Sequence, residues 1–299
     1  MQQILVVYYS QSGQLKDIVN QFVAPFQSAG IGIDFYSIEM EESFPFPWTD
    51  EAFFRAFPES FLQIPQPIKP IKQEFLEKEY SLIILAYQVW YLSPSIPINS
   101  FLKSTFAKDL LYNKPVITLS GTRNMWISSQ EKIKLLLLEN KAHLVGNVAL
   151  TDKHANHISV LTIVHWLFTG RKDRYLGIFP LPGVSQKDIE SASMYGKIAL
   201  EYLQKDIYDQ GLQKEIIERK GVIIKPFLLS AEYKANRLFR IWATIIYRNK
   251  YRRTLLKCFH LYLYIAIWVL MPIVWCFYWL TYPFFYRKIQ KDIRKAESV

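Results

Sequence analysis

Apolar and polar positions alternate along the first two thirds of the chain in a regular scheme. Ile4–Tyr9 is a continuous β-branched and aromatic run, the pattern of a parallel strand buried on both faces. Leu15–Ala29 follows with Ile18, Val19, Phe22, Val23 and Phe26 at helical spacing. Further strands are predicted at Ile31–Ile38, Tyr80–Ala86, Pro115–Leu119 and Ala142–Ala149. Helices are predicted at Asn99–Phe106, Ser129–Asn140 and Asp188–Asp206. Strands alternating with helices imply βαβ units: an α/β fold with a doubly wound, five-stranded parallel sheet. A ligand site in such a fold lies beyond the carboxyl ends of the strands.

Two segments interrupt the scheme. Glu42–Pro70 contains FPFPWTDEAFFRAFPESF, and its prolines predict a long connection without regular structure. Its Phe and Trp residues are too many to leave in water, so a lid or wall over an apolar site is the sharper expectation. Ile158–Phe168 is apolar but, at 11 residues, too short to span a bilayer; it predicts a buried or interfacial helix.

The last third has a different pattern. Leu228–Leu256 is helical in spacing and studded with Lys and Arg. Cys258–Tyr286 then runs for 29 residues without Asp, Glu, Lys or Arg, past the about 20 residues that cross a hydrocarbon core. Basic residues flank both ends, although positive charge prefers one membrane face, and Pro272 divides the run. Three arrangements are open: a monotopic or re-entrant hairpin, a single kinked span, and a helix buried on a partner. The expected units are 1–205, a basic helical linker at 206–256, and a membrane-anchoring tail at 257–299.

Charge changes the picture only through its distribution. The net charge is +10, but residues 1–204 carry 18 Lys+Arg against 19 Asp+Glu, while 205–299 carry 18 against 7. The excess belongs to the tail and to anionic lipid head groups, and no nucleic-acid partner is expected. Cys258 and Cys276 both lie in the apolar run, so the body has no cysteine for a disulfide, a thiolate metal site or a nucleophile. The N-terminus begins as a strand with no basic leader, which predicts a cytoplasmic body. No metal is expected: His154 and His157 lack a third ligand and read as solvated or capping, and His165 as packed or interfacial.

One loop carries recognisable chemistry. The first strand runs into Ser10-Gln11-Ser12-Gly13-Gln14-Leu15, which opens a helix. Hydroxyls, a glycine and free N–H groups at such a turn form an anion cradle. No lysine follows Gly13, so a phosphate monoester suits it better than a nucleoside triphosphate. The third strand ends in Tyr87-Gln88-Val89-Trp90-Tyr91-Leu92-Ser93-Pro94, and the fourth in Ser120-Gly121-Thr122-Arg123-Asn124-Met125-Trp126. Both emerge at the same edge and offer aromatic faces and polar backbone to a flat heteroaromatic ring.

On these loops residues 1–205 resemble the flavodoxin-like superfamily. YYSQSG is similar to its FMN phosphate loop, VWYLSPSIPINSFLKS to the loop whose aromatic dipeptide and proline frame the isoalloxazine ring, and SGTRNMW to its third FMN loop. Leu15 stands where the phosphate loop usually ends in Thr. Within the superfamily the layout, with FPFPW, HWLFTGRK and a hydrophobic basic tail, resembles the dialkylresorcinol-condensing aromatases that partner ketosynthases in flexirubin-type pigment clusters. The resemblance implies FMN as cofactor, held by Ser10–Leu15, Val89–Leu92, Ser120, Gly121, Thr122 and Asn124. It implies a lipophilic substrate, a ketosynthase partner, and oxidation of a 2,5-dialkylcyclohexane-1,3-dione to a dialkylresorcinol at the cytoplasmic face of the inner membrane. Tyr91 is a candidate proton carrier for an enolisable dione and Arg123 a candidate stabiliser of developing negative charge. The alternatives are a membrane-associated NAD(P)H-dependent quinone or FMN reductase, and a non-enzymatic scaffold or electron carrier of the same fold.

Overall fold

A computed structural model describes residues 2–299. Its centre is a five-stranded parallel sheet built from β1 (Gln3–Tyr8), β2 (Gly32–Ser37), β3 (Leu82–Tyr87), β6 (Pro115–Thr122) and β7 (His143–Thr151), in the order β2-β1-β3-β6-β7. Between β3 and β6 lies a small antiparallel hairpin of β4 (Val89–Trp90) and β5 (Ser93–Pro94). Counting only the large sheet, the order is 2-1-3-4-5, the flavodoxin-like form of the doubly wound sheet.

Helices cover both faces, which is why the strands read as unbroken apolar runs. On one face Ile4, Val6, Ile84 and Leu119 pack against α1 (Gln14–Ser28) and α9 (Ala192–Lys205); the short α8 (Gln186–Glu190) precedes α9. On the other, Leu5, Val7, Ile83 and Leu85 pack against α4 (Ile96–Leu102), α5 (Thr105–Leu111) and α6 (Ile127–Glu139). The single helix expected over Asn99–Phe106 is these two, α4 and α5, because Ser104 breaks away and its Oγ accepts the Ala107 N–H at 3.2 Å, capping the second.

The aromatic insertion is partly regular, against expectation: α2 spans Asp50–Phe61. Thr49 Oγ1 accepts from Ala52 N at 3.2 Å and Asp50 and Glu51 occupy the first turn, so the start is well capped. Pro45 and Pro47 precede that cap, and only Pro58 interrupts the ladder. Burial of Phe54, Phe57 and Phe61 offsets the lost hydrogen bond. The short α3 (Gln73–Leu76) leads back to β3.

Residues 206–256 include two helices packed on the body. In α10 (Gln210–Glu218), Leu212 and Ile216 are fully buried against β7. Gln213 Oε1 accepts from Asn147 N at 2.7 Å and Gly221 O accepts from Ala149 N at 2.8 Å. This segment seals the free edge of the sheet. Helix α11 (Pro226–Ile246) then packs on α2 and α6 and ends at Tyr247, short of the predicted Leu256.

The apolar tail contains no loop at Pro272. Residues 252–297 are continuously helical: α12 (Arg252–Ile265), a π-helical turn (Ala266–Leu270) and α13 (Met271–Glu297). The π-turn explains how Pro272 is accommodated. Met271 N–H reaches back to Ala266 O, so the carbonyl the widened register would pair with residue 272 is Ile267 O. Proline has no N–H to give it. His157, on α7 (Asn156–Thr169), supplies the missing donor: its Nε2 lies 3.0 Å from Ile267 O. Of α7 itself, Ser159, Val160, Thr162 and Trp166 are buried.

Candidate functional site

Strands β1, β3 and β6 are neighbours, so the loops that follow them leave one edge of the sheet side by side. The first is the turn Ser10–Gly13. Gly13 has φ +87°, a left-handed geometry that a side chain resists, with open space where a Cβ would stand. The N–H groups of Gly13, Gln14 and Leu15 have no acceptor among the described residues, and they stand at the positive end of the 15-residue α1. Ser10 Oγ accepts from Lys16 N at 3.3 Å. The turn therefore keeps an unfilled set of donors, as an anion site requires.

Side chains here divide sharply by role. Gln14 turns inward, with Nε2 donating to Val184 O and Oε1 accepting from Val184 N. Leu15 sits in the core. Both can offer a ligand only their backbone. Gln11 Nε2 donates to Pro45 O at 2.8 Å, which ties the insertion to the cradle.

The second loop is the β4–β5 hairpin. Tyr91 and Leu92, at φ +50° and +59°, occupy its two turn positions. Paired left-handed residues make a type I′ turn, normally given to Asn and Gly. Using Tyr and Leu there costs on the order of 1 kcal/mol each, and such strain persists only where surrounding packing enforces it. The packing is visible. Tyr91 Oη donates to Phe53 O at 2.6 Å, and its ring meets Phe53 and Phe57 of α2. Burial holds its phenol well above the usual range. Trp90 lies edge-on to Phe44, Trp48 and Tyr9, at 4.9, 5.2 and 6.1 Å between centroids. The insertion thus forms an aromatic wall with the hairpin as its counterpart. Val89 is half-buried, and Leu92 is buried.

The third loop is Ser120–Trp126. A Cβ on Gly121 would lie 2.5 Å from Ile18 Cδ1, so a side chain there would have to displace the tip of Ile18 where β6 approaches α1. Thr122 is half-buried in register with Thr151, and Asn124 Nδ2 makes a long contact of 3.5 Å to His154 O. Arg123 is committed to α7: Nε donates to Ser159 Oγ at 3.2 Å and Nη2 to Asn156 Oδ1 at 3.0 Å. Burial lowers its guanidinium to about 10, partly opposed by Asp152, and it stays charged at neutral pH. The expected residues therefore share one edge, but Tyr91 and Arg123 are tied to protein partners.

Other buried polar groups around these loops carry no short-range sequence signal. Gln88 Oε1, Ser95 Oγ and Asp152 Oδ2 are buried without a hydrogen-bond partner, all just beyond strand ends. Tyr87 Oη donates to Gln130 Oε1 at 2.7 Å, and Gln130 Nε2 to Thr118 Oγ1 at 3.1 Å, fixing the start of α6 to β3 and β6. Lys132 Nζ bridges the hairpin and the end of α2, donating to Ser93 Oγ at 2.6 Å and Phe61 O at 2.9 Å. Burial lowers its ammonium to about 7. Glu232, from α11, inserts at the N-terminus of α6, and its Oε1 accepts from Ser128 N at 2.6 Å. Burial pushes this carboxyl up to about 7, against hydrogen bonds from the Ser128, Ile127 and Trp126 backbone.

No family model matches the sequence, and no curated protein matches it. Among solved structures, a flavodoxin from the domain Archaea aligns at 13% identity and TM-score 0.40, over 68% of this chain and 99% of that one. A flavoprotein in complex with FMN from Lactobacillus acidophilus NCFM aligns at 15% and 0.40, over 50% and 93%. Oxidised flavodoxin 1 from Bacillus cereus aligns at 11% and 0.39, over 69% and 99%. The fold assignment rests on the strand order and register.

Proposed function

We propose that the protein is an FMN-dependent oxidoreductase acting on a lipophilic cyclic substrate, most concretely the aromatisation of a 2,5-dialkylcyclohexane-1,3-dione to a dialkylresorcinol. The observation that carries the reading is the acceptor-free cradle at the start of α1, lying beside two further loops at the β1/β3 switch point. A single phosphate fits that cradle, and the unpaired Gln88, Ser95 and Asp152 atoms suit a ring with polar edges. The backbone of Ser12–Leu15 would hold the phosphate, and Val89–Leu92 with Ser120–Asn124 the ring. Bound FMN would supply a two-electron acceptor, which side chains cannot.

The chain's own groups prepare the site. The aromatic wall of Phe44, Trp48, Phe53 and Trp90 excludes water and suits alkylated rings. Arg123 holds a positive charge at the third loop, and the Tyr91 hydroxyl fixes the hairpin to α2. The apolar, basic-flanked C-terminal helix supports attachment to the cytoplasmic face of the inner membrane, where such a substrate partitions. A ketosynthase is the proposed supplier of the ring.

Purified protein is expected to bind FMN with a flavin absorbance band, and anaerobic addition of a dialkylcyclohexanedione to bleach it. Bleaching by NADPH but not by the dione would favour the reductase alternative. Failure to bind FMN would leave the scaffold.

A further inference from the structure

The C-terminal helix is fixed to the body at its start, its middle and its end. At its start Arg252 forms a bidentate ion pair with Glu59 of α2, at 2.6 and 2.7 Å, and Phe259 stacks on Phe57 at 3.7 Å. In its middle His157 meets Ile267 O at 3.0 Å. At its end Ala296 is buried in the main core, Gln213 Nε2 donates to Glu297 O at 2.9 Å, and Lys134 Nζ donates to Ser298 O at 2.6 Å. A helix that crossed a bilayer would have ends separated by about 30 Å of hydrocarbon. Ala296 could not then share a core with β7 while Arg252 holds α2.

Between these anchors the helix is largely uncovered. Only 6% of its most apolar window is buried, and Leu280 and Phe284 are 71% and 85% exposed. Eight Tyr and Trp residues are spread from Tyr262 to Tyr286, through the centre as well as the ends. A spanning helix confines such amphipathic rings to its two interfaces, whereas a helix lying in the interface carries them throughout. Basic residues complete the pattern. Arg253, Lys257, Arg287, Lys288 and Lys291 are exposed at the two ends of the run. A groove of about 520 Å³ between α11 and α13 has Phe277, Tyr278 and Phe285 in its wall and Lys234, Arg237 and Lys288 at its rim, with Asp292 the acidic residue lining it.

We infer that residues 258–286 lie in the plane of an anionic phospholipid leaflet, entering and leaving by one face, with the basic rim of the α11–α13 groove on lipid phosphates. This deepens the membrane attachment proposed above and does not depend on the flavin. It gives the uncovered aromatic surface an apolar partner and the basic flanks a single charged plane.

The test uses the full chain with a tag after Val299 and preformed vesicles of phosphatidylcholine, with or without phosphatidylglycerol. Sedimentation is expected to show at least about tenfold tighter binding to the anionic vesicles. Replacing Lys234, Arg237 and Lys288 by Gln should weaken binding about fivefold per charge. External protease should remove the tag completely from vesicle-bound protein while leaving the lumen sealed. A protected tag with an accessible body means a span and overturns the in-plane arrangement alone. Absence of vesicle binding, with lipid-independent dimers in the ultracentrifuge, overturns membrane attachment itself.

Discussion

Glu232→Gln should make the protein more stable at neutral and alkaline pH and remove a specific part of its pH dependence. The carboxyl is fully buried, caps α6 through Ser128 N, and leaves Oε2 without a partner. Its ordinary value of 4.5 rises to about 7 in the folded chain. Between these values the folded state keeps a proton that the unfolded state has released, so stability falls as pH rises through that window and levels off above it. Across the window from 4.5 to about 7, at about 1.36 kcal/mol per pH unit, the loss amounts to about 3 kcal/mol. Gln keeps an oxygen for Ser128 N and has no charge to bury. Thermal unfolding followed by tryptophan fluorescence suits the site, because buried Trp126 lies beside it. At pH 8 the variant should melt roughly 6–12 °C higher, converging with the native protein near pH 4.5. Parallel melting curves across pH 5–8 would refute the reasoning.

Four further outcomes are expected. Gly13→Val forces a β-branched residue to φ +87° in the anion cradle and should weaken FMN binding about 5- to 30-fold in a fluorescence titration, as about 1–2 kcal/mol of strain implies. Gly196→Ala places a Cβ 1.9 Å from Phe22 O, between α9 and α1, and should cost about 3 kcal/mol in denaturant unfolding. Phe259→Ala removes the ring stacked on Phe57 and should cost about 3–5 kcal/mol, with faster tryptic cleavage at Arg252 and Arg253. Tyr91→Phe leaves Phe53 O without its donor and should lower stability by about 1–2 kcal/mol while leaving the pH profile of turnover unchanged; a profile that shifts would make Tyr91 a proton carrier.

The sheet was legible because its strands are buried on both faces, so Ile4–Tyr9 and Pro115–Leu119 announce themselves without neighbours. The cradle was legible for a similar reason: Ser10–Gly13 is a local turn whose chemistry is complete within a few residues. The remainder depends on distant partners. Glu232 meets Ser128 across 104 residues, and nothing near either marks the pair. Pro58 and Pro272 read as breakers because their compensations are tertiary: an aromatic face buried on α11 and α12, and a histidine 110 residues before Ile267. The strained Tyr91–Leu92 turn also reverses the sequence rule, since the α2 wall selects those side chains over the local preference for Asn-Gly.

The return of Ala296 to the main core has a consequence for biosynthesis. Residues 293–298 leave the ribosome after the whole apolar run, yet they complete the packing that Leu212 and Ile216 begin on β7. The domain is therefore finished only after its whole apolar helix has been made. Assembly must draw that helix back onto the same body from which it emerged, so synthesis of the tail and closure of the domain are one event.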